Sequence, residues 1–231
     1  MLILAIDTAL NACAAAVLDT ESGRLIAQES QVMQRGHAEA LMPLIGRVIA
    51  ASSLSFASLD RIAVTTGPGS FTGLRVGISA ARGIALAADK PAVGVTTLSA
   101  YAAGFVSRNG EVPVLSAIDA RHDHVYFQIV AGDGTELARP QVAFIGEAIS
   151  ACRFGAPYLV GNAANILADR WPKDLPAPVA VDAQPAPDIA WVAWLGAAAQ
   201  PELAPPRPFY LRAPDAKPAD LPRVAAQPAR P

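Results

Sequence analysis

Short apolar runs separated by polar turns occupy the first 32 residues of the chain. Three such runs cover residues 2–8, 12–18 and 25–32. Runs of this length that end at turn-forming residues are typical of β-strands. Three strands joined by short turns predict an antiparallel meander, which opens a mixed sheet.

Strands and helices then alternate along the chain. We predict helices at 37–51, 73–88 and 97–106 and strands at 62–66 and 92–96. The same succession of meander, helix, strand and helix begins again near residue 112, and a last helix is predicted at 189–199. This recurrence predicts an α/β fold with a duplicated lobe. We expect an N-terminal lobe at 1–106, a C-terminal lobe at 107–200 and a proline-rich arm at 201–231.

The segment VTTGPGSFTGLRVG at 64–77 predicts a strand, a glycine turn and a helix that begins near Ser70 or Thr72. A phosphate loop of the GxxxxGK[ST] type requires a lysine, which this segment lacks. A dinucleotide fingerprint requires glycine at Thr72 and an acid after the next strand, whereas Asp89 precedes that strand. The third interpretation is a structural turn whose glycines permit close packing.

The helix after this turn and the helix predicted at 37–51 both have unusual faces. Gly77, Ala81 and Ala85 form a ridge that is nearly bare of side chains, so another element can approach closely. On the helix at 37–51, apolar residues cover an arc wider than one core face requires. The surplus on that helix predicts a second packing partner.

The charge balance, the cysteines and the length of the apolar runs limit the possible functions of the chain. The chain has 18 Lys and Arg against 20 Asp and Glu and a formal net charge of −2, without a basic cluster. A protein that binds a polyanion by itself normally shows a basic face. The unpaired Cys13 and Cys152 predict two buried, reduced thiols. Since no apolar run approaches the length of a membrane span, we expect a cytoplasmic protein without a membrane partner.

Five segments, spread over most of the chain, resemble those of one known family. They are LAIDTA at 4–9, HAEALMP at 37–43, TTGPGSFTGLRVGISAARGIALA at 65–87, DARHDHVY at 119–126 and YLRAPDA at 210–216. The chain resembles the TsaB (YeaZ) family, which supplies a subunit of the bacterial machinery that makes threonylcarbamoyladenosine in tRNA. The resemblance implies two ribonuclease-H-like lobes in the actin-like ATPase (ASKHA) fold.

The resemblance also implies a non-catalytic scaffold, with no catalytic residue, that pairs with its catalytic paralogue TsaD and is joined by the ATPase TsaE. A homodimer is expected when the paralogue is absent, and contact with tRNA is expected only through the complex. No cofactor is expected, apart from weak binding of ATP or ADP with Mg²⁺ at the complex interface. The implied dimer interface comprises His37, Leu41, Leu44, Ile45, Val48, Leu74, Gly77, Ile78, Ala81 and Ala85.

A nucleotide or phosphate group is expected, if anywhere, near Asp7, Thr8, Gly67, Gly69, Ser70 and Gly73. Asp7 either caps a turn or, as in actin-like ATPases, helps to organise a metal–phosphate site. His37 lacks the HxxxH partner through which the catalytic paralogue binds metal, because Leu41 stands four residues later. We therefore predict no metal site.

The sequence leaves two alternative functions open. The first alternative is an ATP-dependent phosphotransferase of the actin-like fold, with Asp7 organising Mg²⁺. The second, a nicotinamide dehydrogenase, is disfavoured by the position of Asp89.

In the proline-rich arm, we expect residues 209–211 to anchor on the body and disorder to begin near Lys217.

Overall fold

The computed structural model describes residues 1–106 and 110–212 of the chain. The strands of its first sheet are β1 (Leu2–Asp7), β2 (Ala12–Asp19), β3 (Arg24–Val32), β4 (Arg61–Gly67) and β5 (Ala92–Thr96). Their order is β3-β2-β1-β4-β5. Strand β2 is antiparallel to both β1 and β3, while β4 and β5 run parallel to β1. The predicted meander is therefore confirmed.

A second sheet repeats this arrangement strand for strand. It contains β6 (Val114–Arg121), β7 (His124–Val130), β8 (Glu136–Phe144), β9 (Tyr158–Val160) and β10 (Ala180–Asp182). The order is β10-β9-β6-β7-β8, with an antiparallel meander followed by two parallel strands. The same order and the same strand directions in both sheets confirm the duplicated α/β lobe. The sequence did not predict the three-residue strand β10.

Six helices connect and cover these sheets in the described part of the chain. They are α1 (His37–Ser52), α2 (Phe71–Ala88), α3 (Thr97–Val106), α4 (Ile145–Ser150), α5 (Ala164–Asp169) and α6 (Ile189–Ala198). Alternate residues of β1 face opposite sides of the sheet. Leu4 and Ile6 share a core with α1 and α2, whereas Ile3 and Ala5 share a core with α6.

Two helices link the lobes. Leu98 and Tyr101 of α3 lie in the same core cluster as Val114 and Ile118 of the second sheet. In the opposite direction, α6 falls in the segment that the sequence assigned to the C-terminal lobe, yet it packs on β1, β2 and β4 of the first sheet. A division of the chain at one sequence position therefore does not separate the two packed units.

The chain after α6 runs along the first sheet. Arg61 Nη1 donates hydrogen bonds to three carbonyl oxygens at the end of α6, at 2.7 to 2.9 Å. Farther along, Gly94 N donates to the Ala204 carbonyl at 2.8 Å, and Phe209 N donates to the Thr66 carbonyl at 2.8 Å. These bonds place the arm over the free edge of β5. The disorder predicted beyond Lys217 lies outside the described residues.

None of the described helices combines the length and the apolar character that crossing a bilayer requires.

Candidate functional site

The glycine turn after β4 packs against the turn between β1 and β2. Ser70 N donates to the Ala9 carbonyl at 2.7 Å, and Ser70 Oγ caps α2 by accepting a hydrogen bond from Gly73 N at 3.3 Å. Thr8 Oγ1 donates to the Gly73 carbonyl at 2.7 Å. The β1–β2 turn thus packs against the start of this helix, and groups of the chain itself contact two of the residues predicted to lie near a phosphate.

Three glycines allow this close contact. A Cβ atom at Gly69 would lie 2.3 Å from the carbonyl oxygen of Ala9, and one at Gly73 would lie 2.1 Å from that of Thr8. At Gly77 it would lie 2.4 Å from Thr8 Oγ1. Any larger side chain at these positions would push the two turns apart. The contacts agree with the structural-turn interpretation of the glycine segment.

Asp7 is fully buried at the end of β1. Its Oδ1 accepts hydrogen bonds from Thr65 Oγ1 at 2.5 Å and from Ala9 N at 2.9 Å, and the second of these is a turn-capping bond. Its Oδ2 has no hydrogen-bond partner among the described residues. Burial raises the pKa of Asp7, although these two hydrogen bonds and the nearby His37 act in the opposite direction. His37 Nε2 lies 3.0 Å from the Leu10 carbonyl, so this nitrogen is a donor.

The ten residues predicted to form a dimer interface are buried within the chain itself. They are His37, Leu41, Leu44, Ile45, Val48, Leu74, Gly77, Ile78, Ala81 and Ala85. None of these side chains therefore forms an exposed face of the described chain. Helices α1 and α2 pack against the first sheet and against each other, so the wide apolar arc of α1 is already covered. The part of these ten residues in a dimer interface stays a prediction.

An apolar groove lies on that outer side and has a volume of about 440 Å³. Its lining includes Met42, Phe56, Ala80, Gly83, Ile84 and Ala87. Met42 is 50% exposed, and Leu86 on the neighbouring surface of α2 is 85% exposed. The sequence did not predict these residues as an interaction surface, although small residues recur every three or four positions from 80 to 87. Contiguous exposed apolar surface of this kind commonly marks an interaction site.

A second cavity, of about 660 Å³, lies between the lobes. Residues of β3, α3, β9, β10 and the start of α6 line it. Glu29, Asp182 and Asp188 contribute carboxylates, and no Lys or Arg is present among the described lining residues. None of the six residues predicted to lie near a phosphate lines this cavity. Arg47 pairs with Glu29 at 2.7 Å from outside this lining, so the carboxylates of Asp182 and Asp188 are the charges that disfavour a polyphosphate.

The described residues contain no group of three or more His, Cys, Asp or Glu side chains arranged to hold a metal ion. Cys13 and Cys152 are buried free thiols, as predicted. Burial raises the pKa of each thiol to about 11, so both stay protonated at neutral pH. Because the thiolate is the reactive form, neither cysteine is suited to nucleophilic chemistry.

Much of the chain is similar in sequence to known proteins. A family model described as "TsaD: tRNA N6-adenosine threonylcarbamoyltransferase" matches residues 27–170, more than half of the chain. The Escherichia coli tRNA threonylcarbamoyladenosine biosynthesis protein TsaB is 39% identical over 127 residues, which are 55% of this chain and 54% of that protein. The chain thus spans about half the length of the curated TsaB relatives that it matches.

Solved structures agree with this assignment. A Pseudomonas aeruginosa protein described as similar to peptidase YeaZ superposes with a TM-score of 0.74 at 28% identity, over 91% of this chain and 99% of that one. YeaZ from Pseudomonas aeruginosa superposes with a TM-score of 0.70 at 27% identity over the same shares. Together with the motifs and the two repeated sheets, these similarities show that the chain belongs to the TsaB (YeaZ) family.

Proposed function

We propose that this chain is a non-catalytic dimerisation subunit of the complex that forms N6-threonylcarbamoyladenosine at position 37 of ANN-decoding tRNAs. In this proposal it pairs with the catalytic paralogue TsaD and activates it, and the ATPase TsaE joins the pair in the cytoplasm. The chain forms a homodimer when the paralogue is absent. It meets tRNA only through the complex, and any ATP or ADP with Mg²⁺ binds weakly at the complex interface.

The apolar groove on α1 and α2 is the observation that carries this proposal. The groove presents an apolar surface with few protruding side chains, and its lining includes Met42, Ala80, Gly83 and Ala87. A helix of a second protein can approach such a surface closely and bury its own apolar side chains there. Family membership supports the identity of that protein, because the family's relatives are named for threonylcarbamoyladenosine biosynthesis.

The non-catalytic part of the proposal rests on the glycine turn. The β1–β2 turn fills the space around Gly69 and Gly73, so the segment most similar to a phosphate-binding loop contacts the chain's own backbone. The carboxylates of Asp182 and Asp188 in the interlobe cavity also disfavour a triphosphate. A scaffold role requires neither site.

Gly83→Glu tests the groove directly. A Cβ atom at Gly83 meets nothing within 4 Å, so the helix tolerates the side chain while its carboxylate enters the groove. Burying that unpaired charge against a partner costs several kcal/mol, so the affinity for the paralogue should fall at least a hundredfold, and roughly 2.7 kcal/mol is enough for that. Titration calorimetry with the paralogue measures the affinity, and a tRNA modification assay measures activation.

Gly146→Glu is the matched control, because Gly146 is also an exposed helical glycine whose Cβ would meet nothing within 4 Å. It lies on α4 of the second lobe and should leave affinity and modification unchanged. If the paralogue binds wild type and Gly83→Glu equally well, the groove is not the pairing surface. If wild type neither binds the paralogue nor increases tRNA modification, the proposed function is wrong.

A further inference from the structure

Three side chains form a platform near the start of α2, separate from the residues that line the groove. The guanidinium carbon of Arg75 lies 3.7 Å from the centroid of the Phe71 ring, one helical turn earlier. Phe71 also stacks on Tyr210, with ring centroids 5.6 Å apart and planes inclined by 28°. Arg75 Nε donates a hydrogen bond to the Tyr210 hydroxyl at 3.3 Å. These contacts hold in one orientation an exposed arginine that would otherwise sample many rotamers.

The terminal nitrogens of Arg75 are available to a binding partner. Within residues 1–106 and 110–212, no hydrogen bond or ion pair involves its Nη1 or Nη2 atoms. Helix α2 contains no Asp or Glu, so no carboxylate of its own helix is available. A guanidinium whose plane is stacked and whose Nε is bound offers its Nη pair as a ready fork for an oxyanion.

The fold itself sets the position of Tyr210. The Phe209 N–H is bonded to the Thr66 carbonyl, which fixes the arm one residue before the tyrosine. Gly67 leaves room for this path, since a Cβ atom there would lie 2.9 Å from the Phe209 carbonyl oxygen. The φ angle of Gly67 is +114°, which also favours glycine. The platform is therefore a fixed feature of the first lobe and its arm.

We propose that Arg75, oriented by Phe71 and Tyr210, binds a carboxylate side chain of the protein that occupies the groove. The inference rests on the proposed function and adds that the catalytic paralogue carries an acidic side chain opposite this platform. Val76 joins the platform to apolar surface of α2, which a protein partner covers and an RNA backbone does not. Arg82 adds a second exposed positive charge farther along the same helix. Charge complementarity thus selects a partner with carboxylates beside its apolar contact surface.

Arg75→Met and Tyr210→Phe in the full chain test this inference. The methionine keeps an unbranched apolar side chain over Phe71 but removes the charge, and the phenylalanine keeps the ring but removes the hydroxyl. We expect Arg75→Met to weaken binding of the paralogue about tenfold, as the loss of one charge-assisted contact implies. Tyr210→Phe should weaken it about threefold, because Arg75 loses orientation but keeps its charge.

Salt dependence separates an ion pair from a merely structural effect. Wild-type affinity should fall as salt is added, and the slope should be smaller for Arg75→Met but retained in Tyr210→Phe. Arg24→Met, an exposed substitution on β3 outside the platform, is the matched control and should leave affinity and salt slope unchanged. Equal urea midpoints for all four proteins would exclude a folding defect.

The possible outcomes distinguish this inference from the proposed function. If the paralogue binds wild type and Arg75→Met with equal affinity and equal salt slope, the inference is overturned while pairing stands. If Arg75→Met binds the paralogue normally but the assembled complex loses affinity for tRNA, Arg75 binds phosphate and the inference is also overturned. If wild type does not bind the paralogue at all, the proposed function fails and takes this inference with it.

Discussion

Two glycines of helix α2 stand in opposite environments. A Cβ atom at Gly73 would lie 2.1 Å from the Thr8 carbonyl oxygen, whereas one at Gly83 would meet nothing within 4 Å. Gly73→Ala should therefore lower the free energy of unfolding by about 1–3 kcal/mol, because backbone must move. Gly83→Ala should raise it by up to about 1 kcal/mol, because alanine favours helix. Urea denaturation of both variants measures these changes.

The two substitutions should change the free energy of unfolding in opposite directions, and this difference tests the contact between α2 and Thr8. If Gly73→Ala were as stable as wild type, the β1–β2 turn would not pack as closely on α2 as described. The space near the helix N-terminus would then be open to a phosphate group. If both variants were destabilised equally, the cost would reflect a general intolerance of α2 rather than the contact with Thr8.

The buried Asp7 predicts a measurable dependence of stability on pH. Burial raises its pKa in the folded state above 3.8, so the folded protein holds the proton more tightly than the unfolded chain does. The stability from this group is complete below that value and is lost as pH rises through the folded-state pKa. Asp7→Asn cannot titrate, so its free energy of unfolding relative to wild type should increase over this interval and be constant above it.

Urea denaturation at several pH values from about 2.5 to about 8 measures this difference and also covers the acidic interval in which the control titrates. Asp19→Asn is a control of opposite sign, because hydrogen bonds from Ser22 and Glu21 lower the pKa of the Asp19 carboxyl. Wild type should lose stability relative to Asp19→Asn as pH falls. A difference between wild type and Asp7→Asn that does not vary with pH would show that the Asp7 carboxyl does not have a raised pKa.

At the scale of secondary-structure elements, the sequence predicted which segments form helices but not which faces they expose. The apolar arc of α1 is wider than one sheet contact requires, and the extra width was assigned to another protein. In the structure, Leu44 and Val48 lie in one core cluster with Ile78 and Ala81 of α2. A helical wheel counts apolar positions on one helix only, so it cannot show that a neighbouring helix covers them.

In other elements too, the local sequence pattern predicted local structure but not contacts between distant residues. The glycine turn and the cap at Ser70 were predictable, because their residue types have local conformational preferences. Strand β10 was not, since three residues are too few for a period to appear. The platform of Arg75 with Tyr210 joins residues 135 positions apart, and such contacts depend on the path of the arm over β4 and β5.

At the scale of the whole molecule, the recurrence of strands and helices was the most dependable signal. Each copy of the unit has the same strand order, so the repeated sequence pattern corresponds to two sheets of the same topology. The relation between the copies was not predictable. Helix α3 joins one core to the other, and α6 returns to the first sheet, so the interlobe cavity depends on contacts between distant segments.

That cavity supplies the test of the phosphotransferase alternative. Its described lining places three carboxylates, including Asp182, around about 660 Å³ and offers no Lys or Arg to a phosphate group. Calorimetry of the isolated chain with ATP and Mg²⁺ should show no binding at micromolar concentrations, because like charges repel at short range. Asp182→Asn should strengthen any residual binding a few-fold, whereas Asp169→Asn, at the end of α5, should not. Micromolar binding with turnover by wild type would contradict the scaffold proposal and favour an enzyme that uses ATP.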